Sequence, residues 1–360
     1  MTLHRDPGAV MTPMGIRTDP PAAARCRVSV IIPVYNGEAF VGEAVRSALN
    51  QTERHIEVIV VDDASTDHTV ECLTQLARED ARVRVLCLAH NTGPSAARNA
   101  ALHLAVGTWI ATLDADDQFD PDRLKLLLAA ADRHGADMVS DNVLVCPKYA
   151  SPYSLISPQQ LAYPRQLSMV EFVLGNAQAE RQLASYGFLQ PIIRHDFLQR
   201  HQIRYAVESR FGEDFILYMH CLRAGARWWM LPDALYIYAV RPGSLTQVQT
   251  AADLRRIEDL DTAMLRDPAL VADTLLCRAL LRHRRKIRRL QRYREITDAM
   301  KQGRLAEALR LLHQDPQTPV LVAIEATRQL PNIARKALRG GYRSPPQQFA
   351  APETADPTPF

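Results

Sequence analysis

From Val28 onward the chain alternates between two hydrophobic periods. Val28 to Val34 (Val-Ser-Val-Ile-Ile-Pro-Val) is β-branched and nearly continuous in apolar residues, as expected of a parallel strand covered on both faces. Phe40, Val41, Ala44, Val45, Ala48 and Leu49 then recur at helical spacing. The cycle repeats with a strand at Ile56 to Val61 and a helix marked by Val70, Leu73, Leu76 and Ala77. A third strand at Val83 to Leu88 precedes a helix at Ser95 to Ala105, and a fourth at Trp109 to Leu113 precedes one at Leu124 to Ala131. Met138 to Val145 reads as a fifth strand. This alternation predicts an α/β, doubly wound and mostly parallel sheet.

Polar residues gather where these strands stop. The first strand ends on Pro33-Val34-Tyr35-Asn36, the second on Asp62-Asp63, and the fourth on Asp114, Asp116 and Asp117. In an open α/β sheet the carboxyl edge is where ligands bind. Carboxylates this crowded call for a cation, and Mg²⁺ or Mn²⁺ shared with phosphate oxygens suits such an oxygen-rich site. The same acids also suit the cap of the following helix, through Asp120 or Asp122. Asn91-Thr92-Gly93-Pro94-Ser95 adds a turn at a helix start, with Arg98 one turn in to meet base or phosphate. An aromatic face, carboxylates for a base or ribose and a metal-binding acid pair together describe a nucleotide diphosphate site. No G-x-G-x-x-G follows the first strand and no G-x-x-x-x-G-K-[ST] is present, so metal and side chains are expected to hold the phosphates.

Length and composition bound this picture without changing it. The chain has 360 residues, 47% apolar and 23% charged, enough for one large domain or two small ones. A formal charge of +3 does not point to nucleic acid. The cysteines are scattered with no C-x-x-C pair, which fits reduced residues in a cytoplasmic protein better than zinc or disulfides. Residues 1–25 read as a disordered leader without an apolar signal core, and 341–360 as a loose proline-rich tail. No apolar run is long enough to span a bilayer as a helix.

Taken together, Val-Ser-Val-Ile-Ile-Pro-Val-Tyr-Asn, Glu-Val-Ile-Val-Val-Asp-Asp-Ala-Ser-Thr-Asp, Asn-Thr-Gly-Pro-Ser-Ala-Ala-Arg-Asn and Leu-Asp-Ala-Asp-Asp resemble, in order, the motifs of glycosyltransferase family 2. The resemblance implies a GT-A fold over 26–250, with a nucleotide-sugar half at 26–145 and an acceptor half at 146–250. It implies a nucleotide-sugar donor, most often a UDP-sugar, and a divalent metal, Mn²⁺ or Mg²⁺. On that analogy Pro33, Tyr35 and Asp63, with Asp62 beside it, line the uracil pocket. Asp114 faces the ribose, Asp116 ligates the metal with Asp117 close by, and Arg98 sits near base and phosphate. Ala64 stands where glycine is common in the family, a departure expected to cost little.

The second half must then supply acceptor contacts and a base. Residues 150–200, rich in proline and aromatics, read as an irregular wall shaping an acceptor cleft, with Arg194 and His195 as candidate contacts to a sugar or phosphate and a surface role expected for His195. Phe211-Gly212-Glu213-Asp214 resembles the family's E-D motif at a helix start, making Asp214 the expected base and Glu213 its neighbour. Both acids also favour a helix amino end through the macrodipole. Trp228 to Pro232 and Leu235 to Tyr238 read as closing strands, with Trp228 and Trp229 in the core. They lead to Arg241-Pro242-Gly243-Ser244, a candidate lid over the diphosphate or a plain turn.

After residue 250 only helices are expected. Leu276, Leu280, Ile287 and Leu290 trace an apolar stripe on a helix otherwise crowded with arginine, and no acid occurs from Thr274 to Arg294. This extension, 251–340, either packs on the catalytic domain or a second subunit or attaches peripherally to an anionic membrane, on the cytoplasmic face of the inner membrane. The second option suits a saccharide acceptor carried on a polyprenyl diphosphate, as in the bacterial exopolysaccharide enzymes the chain resembles. The implied activity is inverting transfer of a hexose to a growing saccharide. The competing readings are a catalytically silent nucleotide-sugar-binding protein of the same fold and a nucleic-acid module. The basic helices lack the interleaved aromatics the latter requires.

Overall fold

A computed structural model describes residues 26–313 except 149, 179–184, 210 and 242–249. The expected leader and tail, residues 242–244 of the candidate lid and the part of the helical extension beyond 313 therefore lie outside the described residues. The alternating part runs β1 (Val28–Val34), α1 (Val41–Leu49), β2 (Ile56–Asp62), α2 (Thr69–Glu79), β3 (Val83–Cys87), α3 (Pro94–Leu104) and β4 (Trp109–Thr112). It continues with β5 (Gln118–Phe119), α4 (Arg123–His134), β6 (Met138–Pro147), β7 (Tyr153–Ser154), β8 (Arg165–Leu167) and α5 (Met169–Gln178). Then come β9 (Ile192–Arg194), α6 (His195–Arg200), α7 (Glu213–Arg223) and β10 (Trp228–Val240). The helices α8 (Ala251–Met264), α9 (Pro268–Val271), α10 (Thr274–Lys301) and α11 (Leu305–His313) follow.

The ten strands among the described residues join one sheet in the order β3-β2-β1-β4-β9-β6-β10-β5, with β7 beside β6 and β8 beside β10. The strands β3, β2, β1 and β4 are mutually parallel, and every residue of β2 is buried, which accounts for its near-continuous apolar run. Pro33 is tolerated in β1 because β4 pairs no further than Ile31 with Thr112, so no ladder bond is lost on that side. The expected irregular wall is corrected at Ile192 to Arg194, which form β9, antiparallel to both β4 and β6. Three residues are too few for a period to show.

Two expected closing strands are one, β10, whose pairing with β6 shifts register between Met230 and Tyr236, around Pro232. A proline has no N–H for the ladder, and a bulge absorbs the gap. Trp228 is fully buried and donates to the Ser140 hydroxyl at 2.9 Å, while Trp229 stacks on His134 at 3.7 Å. His195 is also buried and not a surface residue, its Nδ1 lying 3.2 Å from the Gly107 carbonyl.

A compact unit extends to Gln291 and a second begins at Arg292. Leu276, Leu280 and Ile287 of the basic helix are buried in the main core, together with Leu254, Ile257 and Met264 of α8. In the second unit Ile296, Ala299, Ala308 and Leu311 form a small cluster of their own. Among the described residues no helix is long and apolar enough to cross a membrane.

Candidate active site

The carboxyl ends of β1 and β2 are laced together before any ligand is considered. Asn36, in the left-handed region at φ 50°, accepts at Oδ1 from the Thr66 N–H at 2.8 Å, and its own N–H donates to the Ser65 hydroxyl at 2.8 Å. Tyr35 beside it is 50% exposed, so its ring is free to meet a flat partner. Asp63 is buried with both oxygens engaged: Oδ1 accepts from the N–H and hydroxyl of Thr92 at 2.7 and 3.0 Å, and Oδ2 from the Gly93 N–H at 2.7 Å. It thereby fixes the turn into α3, where Gly93 adopts φ 90° and Pro94 opens the helix. Asp62 is the less satisfied neighbour. Its Oδ2 accepts from the Ser65 N–H at 3.1 Å, its Oδ1 has no partner, and burial raises its pKa.

Arg98 joins segments far apart in sequence. From one turn into α3 its buried guanidinium donates to Asp114 Oδ1 at 2.7 Å and to Glu213 Oε1 at 2.8 Å, and it lies over the Tyr205 ring at 5.3 Å. Burial opposes its charge, but Asp214, Asp114 and Glu213 outweigh burial and hold it protonated. A planar fork suits two carboxylates at once.

The three acids after β4 have different partners. Asp117 is buried, accepting from the Tyr236 hydroxyl at 2.8 Å and from the Ala239 N–H at 2.9 Å. Burial and the charges of Asp114 and Asp116 push its pKa well up. The Tyr236 hydroxyl also accepts from the Asp114 N–H at 3.2 Å, so β10 positions the whole acidic turn. Asp116 accepts from Arg241 Nε, and the same guanidinium covers the Phe40 ring at 4.1 Å. Burial and Asp114 raise the Asp116 pKa while Arg241 opposes them. With Arg241 39% exposed and Asp116 18%, this ion pair stands at the solvent boundary. It is not a buried lock.

On the facing side α7 starts with Gly212 at φ 74°, where the Ile257 Cδ1 of α8 lies 2.7 Å from the position a Cβ would take. Glycine thus meets both the backbone and the space requirement. Next come Glu213, bound to Arg98, and Asp214. Asp214 accepts at Oδ2 from the Gln190 amide at 3.4 Å, and its enclosed Oδ1 has no partner. Burial, opposed by Arg98 and reinforced by Glu213 and Asp114, raises its pKa to about 7. A carboxylate so tuned can accept a proton near neutral pH.

The structure therefore gathers Arg98, Asp114, Glu213 and Asp214 into one cluster, with Asp116 and Asp117 beside it on the turn after β4 and Arg241, just past β10, paired with Asp116. Pro33, Tyr35, Asp62 and Asp63 lie at the ends of β1, which pairs with β4, and of β2 on the far side of β1. Three side chains that sequence reasoning missed complete the arrangement: Gln190, Tyr205 and Tyr236. Their partners lie 24 or more residues away, so no local spacing marks them.

Among the described residues no group of three or more His, Cys, Asp or Glu side chains could hold a metal alone. Asp116 can offer one partly accessible carboxylate in a turn with excess negative charge. That donor set fits Mg²⁺ or Mn²⁺ whose remaining ligands are diphosphate oxygens and water, and does not fit an all-protein cage.

Comparison with known proteins adds three findings. The family model for glycosyl transferase family 2 matches residues 29–195. The succinoglycan biosynthesis protein ExoO of Rhizobium meliloti (strain 1021) is 33% identical over 338 residues, 94% of this chain and 95% of the relative. ExoU of the same organism, also named a succinoglycan biosynthesis protein, is 34% identical, covering 78% of this chain and 81% of its own. Among solved structures, S. aureus TarS 1-349 in complex with UDP-GlcNAc superimposes with a TM-score of 0.59 at 24% identity, over 71% of this chain and 72% of that one. The mannosyltransferase PcManGT from Pyrobaculum calidifontis, in complex with GDP-Man and Mn²⁺, gives 0.52 at 19% identity, over 89% of this chain and 90% of its own.

Proposed function

The chain belongs to glycosyl transferase family 2 and is a glycosyltransferase of the GT-A fold; from that premise we propose that it moves a hexose from a UDP-sugar to a hydroxyl of a growing, lipid-linked exopolysaccharide, with inversion at the anomeric carbon. The names of the two relatives support the product class, and the UDP-GlcNAc complex of TarS supports the donor class.

The observation that carries the reading is Asp214: a carboxylate with a pKa of about 7 and one unpartnered oxygen, beside the Arg98 cluster. In the proposed step the acceptor oxygen bonds to C1 of the sugar and its proton passes to Asp214. The C1–oxygen bond to the diphosphate breaks, and its electron pair leaves with UDP. Tyr35 stacks on the uracil and Asp62 offers its open oxygen to the base, while Pro33 and Asp63 shape the pocket wall. Asp114 faces the ribose. Arg98, both terminal nitrogens engaged, reaches the donor through Asp114 and Glu213. Asp116 would hold Mn²⁺ or Mg²⁺, which supplies neutralisation of charge on the departing diphosphate. Arg241, just past β10 and paired with Asp116, would face that diphosphate once Asp116 changes partner.

A second observation supports the acceptor's location. Arg278, Arg282 and Arg285 are exposed on one face of α10, and Leu275 on that face is 65% exposed. Such a face suits anionic headgroups, at about 1 kcal/mol per basic residue. Co-sedimentation with vesicles containing anionic lipid, lost at high salt and in a triple alanine variant, tests it.

The decisive assay is UDP release from a panel of UDP-sugars with Mn²⁺ and a lipid-linked acceptor. Turnover by the wild-type chain, with Asp214→Asn inactive yet still stabilised thermally by UDP, is the expected result. Donor binding with no turnover for any acceptor would favour the silent-binder reading.

A further inference from the structure

Asp214 sits on the first turn of a helix, and a helix start fixes a backbone without fixing a carboxylate's rotation. One oxygen is held from elsewhere in the fold. Gln190, 5% exposed, directs Nε2 to Asp214 Oδ2 at 3.4 Å, and its Oε1 accepts from the buried Tyr218 hydroxyl at 3.2 Å. Because the tyrosine hydroxyl donates to one end of the amide, the nitrogen end is turned toward the carboxylate. The main chain at this residue is anchored as well. The Gln190 carbonyl accepts from Arg123 Nη2, and Arg123 is itself clamped on both oxygens of Asp141 at 3.1 Å and lies over the Phe119 and Tyr236 rings. Two residues on, the chain enters β9, which is bonded on both sides by β4 and β6.

We propose that Gln190 is a positioning residue for the transfer step: its amide, set by Tyr218 and Arg123, holds Oδ2 of Asp214 and so fixes the rotation in which the carboxylate meets the acceptor hydroxyl. The proposal rests on Asp214 being the base. The hydrogen bonds of Gln190 go to Asp214, Tyr218 and Arg123 and not to the ends of β1 and β2, so it acts on the chemical step and not on donor capture. The charged and titratable groups facing Asp214 are Arg98 from α3, Asp114 after β4, Glu213 on its own helix, Tyr205 and Tyr218. Of these Arg98 favours the carboxylate and Glu213 and Asp114 oppose it, so losing the amide donor tips the balance toward the protonated, inactive form.

The test compares pH–rate profiles of wild type, Gln190→Leu and Tyr218→Phe in the full-length chain. The expected result is that Gln190→Leu lowers kcat at pH 7 by about tenfold, moves the ascending limb to higher pH, and leaves the donor KM within about twofold. Tyr218→Phe, which frees the amide without removing it, should shift the limb the same way by less. An unmoved limb in both variants overturns the proposal, as does a loss of kcat in Gln190→Leu that tracks a lowered Tm and a raised donor KM. If Gln190→Leu does not fold, the Tyr218→Phe profile decides alone. Asp214→Asn separates this from the reading beneath it. Retained turnover there removes the base, whereas an inactive Asp214→Asn with unshifted Gln190 and Tyr218 variants removes only the positioning role.

Discussion

Two acidic regions meet at this site, the turn after β4 and the amino end of α7, and they treat charge differently. In the turn every carboxylate has a strong donor: Asp114 has Arg98, Asp116 has Arg241, and Asp117 has Tyr236 and the Ala239 N–H. At α7, Glu213 shares Arg98, but Asp214 has one long amide contact and an enclosed oxygen with none. Unmet hydrogen-bonding capacity in a folded protein is costly, so its location carries information. Here it lies on the acid whose affinity for a proton is poised near pH 7. The turn fixes its carboxylates through donors; the helix end leaves one oxygen without a donor.

Removing the unmet acid should have the largest effect. Asp214→Asn is expected to reduce turnover by about 10²–10⁴-fold, the usual contribution of a general base. Wild-type kcat should climb with pH through about 7 and then level. Stability should move the other way. With the folded pKa near 7 and the unfolded value near that of a free aspartate, the folded chain keeps a proton between about pH 4 and 7 that the unfolded chain has lost. Stability therefore falls across that window and stays lower above it. The asparagine variant should be the more stable protein at pH 8, by roughly 1–3 kcal/mol, and no more stable near pH 4. Thermal melts at the two pH values read this directly, and a variant less stable at pH 8 would place Asp214 with the satisfied acids.

Within the turn, function and structure should separate. Asp116→Ala is expected to lose about a hundredfold in turnover, or several kcal/mol of charge stabilisation, with activity no longer responsive to Mn²⁺. Its melting temperature should change little, because the ion pair it breaks is partly exposed. Asp117→Ala should do the reverse. It strands the Tyr236 hydroxyl and the Ala239 N–H, and should cost about 2 kcal/mol in a denaturant titration, with Asp117→Asn milder because it keeps one acceptor. Equal melting temperatures for Asp116→Ala and Asp117→Ala would erase the distinction.

This contrast also explains how much could be read from the chain. The strands β1, β2, β3, β4 and β6 were legible because each is buried on both faces, and the acids at their ends because the apolar runs stop on them. What each acid does with its oxygens was not legible. Asp63 and Asp62 are adjacent in sequence, yet the first is satisfied by a turn 29 residues away and the second keeps an oxygen free. The strand β9 is too short to show a period, and Gln190 just before it has no neighbour in sequence that marks it. In the basic helix, Leu276, Leu280 and Ile287 were readable from spacing. The buried His283, 2.8 Å from Asp261 and tilted against Phe215 at 4.9 Å beside the base, was not. Such contacts are set by how elements pack, which composition and period do not encode.

The smallest effect concerns the loop joining Asp63 to Ser65. Ala64 has φ 60°, a left-handed conformation that costs an L-residue roughly 1–2 kcal/mol and glycine almost nothing. An alanine expected to cost little here carries a real if modest backbone cost. Ala64→Gly removes that strain but also loosens the unfolded chain, which offsets about 0.5–1 kcal/mol. The net should be a gain of under about 1 kcal/mol in denaturant titration, with no change in turnover. The loop carries the Ser65 N–H that binds Asp62 and the Ser65 hydroxyl that receives the Asn36 N–H, so it couples the two strand ends facing the proposed uracil pocket. If glycine instead raises the donor KM, the strain is serving to hold Tyr35 and Asp62 in place, and the nucleotide side of the site depends on rigidity as the turn after β4 does.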